Sequence, residues 1–66
     1  MWYWWVLLTN GNESRKVFSQ GFSTEDTARL NLEARTMQSV PDLPSFVRGD
    51  YIADYGLDFR AEGYPR

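Results

Sequence analysis

The chain contains neither cysteine nor histidine. Without cysteine no disulfide can form, so a disulfide-rich secreted scaffold is excluded. The absence of both ligand types also argues against structural zinc, and any metal site would depend on carboxylates alone. We therefore expect neither a cofactor nor a bound metal. The usual base of a nucleophilic triad is missing too, and a short chain rarely builds a catalytic cleft, so we expect a protein that is not an enzyme.

Clustered basic residues and long apolar runs are also scarce. The 66 residues carry 7 Lys and Arg against 9 Asp and Glu, which gives a net charge of −2. Domains that bind duplex nucleic acid usually carry a basic patch, so direct nucleic-acid binding is disfavoured. No apolar run approaches the ~18 residues of a membrane span, and the apolar start lacks the basic region and the cleavage site of a signal peptide. We expect one domain, residues 1–66, in the cytoplasm and without membrane contact.

Aromatic residues are abundant, at 17% of the chain. The apolar residues 2–9 predict a first strand, which contains all three tryptophans. Asn10-Gly11 follows at once and is a strong hairpin signal, because both residues tolerate positive φ. We expect the second strand at residues 15–22.

The hairpin pattern also predicts a register. A turn centred on residues 11 and 12 pairs Val6 with Val17 and Trp5 with Phe18. One face then carries Trp2, Trp4, Val6, Leu8 and Val17, and the other carries Tyr3, Trp5, Leu7 and Phe18. Both faces of the first strand are apolar, so we expect this strand to be central or covered on both sides.

A helix is predicted at residues 24–38. Ser23 is a suitable N-cap, Asp26 can serve as its capping-box partner, and Pro41 ends the segment. The larger of two apolar stripes comprises Thr27, Leu30, Ala34 and Met37, and the smaller comprises Ala28 and Leu32. We expect the larger stripe to pack on the sheet.

Alternation predicts a third strand at residues 46–54, with a break near Gly56, and a loose arm at residues 61–66. The element order is therefore β-β-α-β. This order indicates an α+β fold, in which a small antiparallel sheet of three strands, or four if the tail adds one, carries one helix on one face.

Acidic residues return at every fourth position near the end of the chain. They are Asp50, Asp54, Asp58 and Glu62, and an aromatic residue follows each of the first three, at Tyr51, Tyr55 and Phe59. In a strand the acids share one face, and the aromatic residues share the other with Ala53 and Leu57. In a helix the same acids would form one ridge beside a ridge of aromatic residues, so both interpretations of the segment are open. Three interpretations are open: a solvated face that blocks edge pairing, a site for a hard cation, or an imitation of phosphates that binds a basic groove.

This combination predicts a small non-enzymatic module that binds a protein partner, because Trp and Tyr are favoured in interfaces. The acidic-aromatic segment would block a basic surface of a nucleic-acid-processing protein. The expected contact residues are Asp50, Asp54, Tyr55 and Asp58, with Trp2 and Trp4 as interface or dimer anchors. Two alternatives remain: single-stranded nucleic-acid binding by a Trp-rich sheet face, and a structural subunit that assembles only with itself.

The oligomeric state stays open at this stage. One helix covers only one face of a three-stranded sheet. Either the tail covers the second face with Tyr55, Leu57 and Phe59, which gives a monomer, or a second copy covers it, which gives a homodimer.

The layout is similar to that of small phage host-takeover proteins, such as the RNA-polymerase inhibitors of T7-like phages. Those proteins also have an aromatic strand, a turn, a second strand, a capped helix and a final strand in a short acidic chain. The similarity covers order and size only, implies an inhibitor, and transfers no residue. The layout is also compatible with the arm-type DNA-binding domains of integrases, but the acidic balance argues against that role.

Overall fold

The aromatic first strand lies in the middle of a three-stranded antiparallel sheet. A computed structural model describes residues 1–38 and 40–61, without the side chains of residues 38 and 40. The strands are β1 (Trp2–Thr9), β2 (Ser14–Phe18) and β3 (Tyr51–Phe59), and helix α1 (Glu25–Gln38) leads through a 3₁₀ turn (Val40–Asp42) towards β3. The sheet order is β2-β1-β3. The predicted small α+β fold is therefore confirmed.

The predicted hairpin and its register are also confirmed. Val6 lies opposite Val17, and Trp5 lies opposite Phe18. The Asn10 side-chain oxygen accepts hydrogen bonds from the backbone N–H groups of Asn12 (2.9 Å) and Glu13 (3.0 Å). The turn thus satisfies its own polar groups, as expected of an Asn in this position.

Strand β2 ends four residues earlier than predicted. The Ser19 hydroxyl accepts the N–H of Trp4 at 2.9 Å, so a side chain takes the place of a backbone partner. Pairing resumes at Phe22, whose backbone exchanges hydrogen bonds of 2.8 and 2.6 Å with Trp2. The break therefore reflects a local bulge in the ladder.

The helix begins one residue later than predicted, and its cap is Thr24 instead of Ser23. The Thr24 hydroxyl oxygen accepts the backbone N–H of Thr27 at 3.1 Å, which is the usual N-cap bond. Asp26 forms no capping box and instead pairs with Arg29 at 3.2 Å.

The prediction of the buried helix face is wrong. Ala28 and Leu32, from the smaller stripe, are buried, whereas Leu30 and Met37 are 66% and 84% exposed. Asn31 supplies a physical reason, since its side-chain oxygen accepts the indole N–H of Trp4 at 2.8 Å. A helix turned to bury the larger stripe would leave that N–H without this partner.

The core lies between α1 and the sheet face that carries Trp4. Its members are Trp4, Val6, Leu8, Val17, Leu32 and Leu43, with Phe22, Ile52 and Leu57 packed against them. Leu43 comes from the segment between α1 and β3, so this connection is part of the core.

The third strand is displaced relative to its prediction. It begins at Tyr51 and continues through Gly56 to Phe59. The preceding residues form a turn in which Asp50 N–H donates to the Val47 oxygen (2.9 Å) and the Asp50 carboxylate accepts the Val47 N–H (2.8 Å). The backbone groups of Val47 and Asp50 that form these bonds are not available to pair with β1.

A bulge in β3 changes which residues share a face. Leu7 lies opposite Asp54, but Leu8 lies opposite Ile52, so Ala53 is an extra residue in the ladder. Tyr51 consequently lies on the face away from the helix, whereas the aromatic residues beyond the bulge lie on the helix side. The prediction that all the aromatic residues share one face is therefore wrong.

Candidate binding surface along strand β3

Strand β3 lies at the edge of the sheet. Arg60 and Met1 exchange backbone hydrogen bonds, with Arg60 N donating to Met1 O at 2.8 Å. Because pairing alternates along an antiparallel ladder, the backbone groups of Phe59, Leu57 and Tyr55 point away from β1. The described part of the chain places no other strand on that side.

Large aromatic side chains project from this edge strand. Tyr51, Tyr55 and Phe59 are 57%, 63% and 58% exposed. Phe59 is supported from within the sheet by Trp2, whose ring centroid lies 5.4 Å away in an edge-to-face arrangement. The strand thus presents aromatic surface of the kind that is enriched in protein interfaces.

Two carboxylates lie on the face of β3 away from the helix. Asp54 lies opposite Leu7, Asp58 lies opposite Tyr3, and both acids are exposed. Residues four apart in a strand are separated by about 13 Å. The Asp54 carboxylate also accepts the backbone N–H of Tyr55 at 2.8 Å and so covers one of the outward-pointing donors. The fourth acid of the periodic series, Glu62, lies outside the described residues.

Asp50 does not belong to this acidic surface. Its side chain is 0% exposed and forms an ion pair with the Arg15 guanidinium. The Arg15 hydrogen bond, supported by the N–H of Val47, holds the pKa of the Asp50 carboxyl below its ordinary value of 3.8. Arg15 also donates to the Ser45 oxygen at 3.1 Å. Asp50 therefore ties the turn before β3 to β2 and is not available as a contact for a partner.

Trp2 and Trp4, the two tryptophans predicted as interface anchors, differ in how far they are buried. Trp4 is only 3% exposed and lies in the core, so it is not available to a partner. Trp2 is half-buried beneath Phe59. On the helix side of the sheet, neither tryptophan is therefore fully exposed for base stacking.

The opposite sheet face carries only Trp5 among the tryptophans. Its indole lies against Gly56, and the Lys16 ammonium lies 4.3 Å from the ring centroid. Tyr3 and Phe18 pack beside it with centroids 5.9 Å apart. Among the described residues no helix or strand covers this face. Tyr55, Leu57 and Phe59 were expected to fold over this face as part of the tail, but they belong to β3. The prediction that the tail covers the second sheet face with these residues is therefore wrong.

A groove separates α1 from β3. Its volume is about 590 Å³, and it is lined by Arg29, Leu32, Glu33, Thr36, Ile52, Tyr55, Gly56 and Leu57. Sequence reasoning missed this groove because it depends on which helix face is buried and on the bulge at Ala53. Its position beside the free edge makes it part of the same surface.

Neither a metal site nor a membrane span is found in the described residues. Within residues 1–38 and 40–61, no group of three or more acidic residues could hold a metal ion. The described helices are all too short or too polar to cross a membrane.

Comparison of the chain with family models, curated proteins and solved structures gave no match.

Proposed function

We propose that this chain is a small non-enzymatic module that binds a protein partner through β3. The observation that carries the proposal is the presence of exposed aromatic and acidic side chains on an edge strand that has a neighbouring strand on one side only within residues 1–38 and 40–61. Tyr55 and Phe59 project on the helix side, and Asp54 and Asp58 on the other. The strand therefore offers apolar area and negative charge to the same partner.

The charge of this strand favours a partner with a basic surface. Opposite charges accelerate and orient an encounter, whereas buried aromatic rings slow dissociation. Basic surfaces are typical of proteins that handle nucleic acids, because such proteins must bind phosphates. An acidic module on such a surface would compete with the nucleic acid, so the proposed activity is inhibition or regulation.

Of the three acids that the sequence predicted as contacts, only Asp54 and Asp58 are part of the proposed site. Asp50 is excluded because its carboxylate is buried against Arg15. Trp4 is excluded because it lies in the core, and Trp2 acts only by supporting Phe59. The proposed contact residues are thus Asp54, Tyr55, Asp58 and Phe59.

The test is affinity capture by the tagged chain from a lysate of the cells that produce it. The double variant Asp54→Asn/Asp58→Asn removes both carboxylates from β3. The matched control Glu13→Gln/Asp26→Asn removes two exposed carboxylates elsewhere, whose side chains are 70% and 87% exposed. We expect the native chain and the control to recover the same partner, and the β3 variant to lose it.

Each other outcome has a distinct meaning. Recovery of the same partner by all three proteins would show that the β3 acids are a solvated surface only. Recovery of the chain itself and nothing else would favour the structural, self-assembling subunit. A nucleic-acid-binding role for the chain itself would appear as oligonucleotide binding at low salt in the absence of any protein.

A further inference from the structure

No strand of the described residues pairs with the outer edge of β3, and this edge has the geometry of an acceptor for another strand. Tyr55, Leu57 and Phe59 direct backbone donors and acceptors outward, and the strand is nine residues long. Building on the proposed function, we infer that β3 binds an extended basic segment of its partner as a fourth strand of the sheet. In this mode backbone hydrogen bonds supply affinity, and alternate side chains supply specificity.

Charge disfavours one register in which a second copy of the chain could pair with this edge. In antiparallel self-pairing centred on Gly56, Asp54 of each copy would lie opposite Asp58 of the other. Like charges directly opposite each other destabilise a sheet. The same two carboxylates would stabilise a strand that carries cations.

The positions of the two acids define where those cations must be. Asp54 and Asp58 project on the same face, about 13 Å apart. A paired strand has the same spacing, so its cations belong at positions i and i+4. In the part of the chain that the structure describes, no Lys or Arg lies within salt-bridge distance of either carboxylate.

The groove beside α1 defines the positions between the cations. Side chains of the added strand at i+1 and i+3 would lie beside Tyr55 and Leu57, on the helix side. These two residues and Leu32 line the groove of about 590 Å³, so apolar side chains fit there. The expected pattern is therefore cation, apolar, any residue, apolar, cation.

Asp54 has a second role in this arrangement. Its carboxylate accepts the Tyr55 N–H, which covers one donor of the edge in the free protein. Charged side chains protect edge strands from unwanted pairing in this way. An incoming strand would supply a backbone carbonyl to Tyr55, and Asp54 would turn to the cation.

The test uses a synthetic peptide with Lys at the first and fifth positions and Val at the second and fourth. Its affinity for the isotope-labelled full chain is compared with the affinities of two control peptides. The first control carries Glu in place of Lys, and in the second the positions of Lys and Val are exchanged. We expect the Lys peptide to bind at least about tenfold more tightly than either control, a difference of about 1.4 kcal/mol. The amide signals that shift should be those of β3 and not those of β2.

Charge reversal supplies the matched variant. Asp54→Lys/Asp58→Lys should exchange the preference, so that the Glu peptide binds more tightly than the Lys peptide. Circular dichroism and dispersed amide spectra establish that the variant is folded. Equal affinity of native protein for the Lys and Glu peptides would overturn the inference.

N-methylation of the peptide separates strand addition from simple charge attraction. When the peptide pairs antiparallel to β3, the amides of its two Val residues face β3, because these residues lie opposite Tyr55 and Leu57, whereas the Lys amides face solvent. Methylation of both Val amides should abolish binding, and methylation of both Lys amides should leave it within about twofold. Equal effects would contradict strand addition.

The two proposals can fail separately. If partner capture depends on Asp54 and Asp58 but no peptide binds, the proposal of a contact through β3 is supported and the inference of strand addition is wrong. If capture does not depend on these acids and no peptide binds, both fall. Concentration-dependent self-association without peptide binding would assign the edge to a second copy.

Discussion

The indole of Trp5 lies against the backbone of Gly56. A Cβ atom at position 56 would stand 2.7 Å from Cζ2 of that ring and 2.9 Å from two further ring atoms. Glycine is therefore required here by a close approach across the ladder. We expect Gly56→Ala to displace the indole and to lower the free energy of unfolding by about 1–3 kcal/mol. Chemical denaturation followed by tryptophan fluorescence measures this effect.

The control for this prediction is the same substitution in a Trp5→Ala background. Without the indole the added methyl meets no ring, so most of the cost should disappear. The two substitutions should thus be coupled, as expected for residues in direct contact. An equal cost in both backgrounds would mean that Gly56 matters for another reason.

The corrected orientation of α1 predicts a contrast between two leucines in the same helix. Leu32 packs in the core, whereas Leu30 is 66% exposed. Leu32→Ala should cost about 2–5 kcal/mol, because it leaves a cavity. Leu30→Ala should change stability by no more than about 0.5 kcal/mol. Urea denaturation of both variants checks this, and the reverse order would restore the larger stripe as the buried face.

The ion pair between Asp50 and Arg15 predicts a pH dependence. The pKa of Asp50 is lowered from 3.8 in the folded chain, mainly by its hydrogen bond with Arg15. The unfolded chain therefore binds this proton more readily. The stabilisation is fully present well above pH 3.8 and is lost as the pH falls through the folded-state pKa.

Thermal unfolding between pH 2 and 7 tests that sign against Asp50→Asn. The variant should be less stable than the native chain at pH 7, and the difference should shrink as the pH falls below about 4. The comparison removes the contribution of the other carboxyl groups, since both proteins carry them. A difference in melting temperature that stays constant over the whole range would contradict the assignment.

Local signals in the sequence were sufficient for the hairpin and the class of fold. Asn10-Gly11 and the alternation around Val6 and Val17 act over a few residues, so the register followed from them. The element order then left few ways to arrange three strands and one helix.

Contacts distant in sequence decided the features that were predicted wrongly. The buried helix face is linked to the bond between Trp4 and Asn31, which are 27 residues apart. The burial of Asp50 depends on Arg15, which is 35 residues away. The hydrophobic periodicity of the sequence indicates neither Asn31 nor Arg15 as a bonding partner. Periodicity shows which face of a helix is more apolar, but it contains no information on single hydrogen bonds.

The acidic-aromatic segment was recognised from its spacing, but its geometry was not. Regular alternation assumes an uninterrupted ladder, and the bulge at Ala53 breaks that assumption. As a result Tyr51 and Tyr55 lie on different faces. The groove beside α1 could not be predicted, since it requires both the bulge and the true orientation of the helix.

The central claim is that β3, and not another surface, contacts the partner. Site-specific photocrosslinking in the cells that produce the chain tests it most directly. A photoreactive phenylalanine derivative would replace, one at a time, Tyr55 on β3, Phe18 on the sheet face away from α1, and the exposed Leu30 of α1. We predict a covalent adduct with a partner protein from Tyr55, with little or none from the other two positions. An adduct from Phe18 or Leu30 and none from Tyr55 would contradict the account.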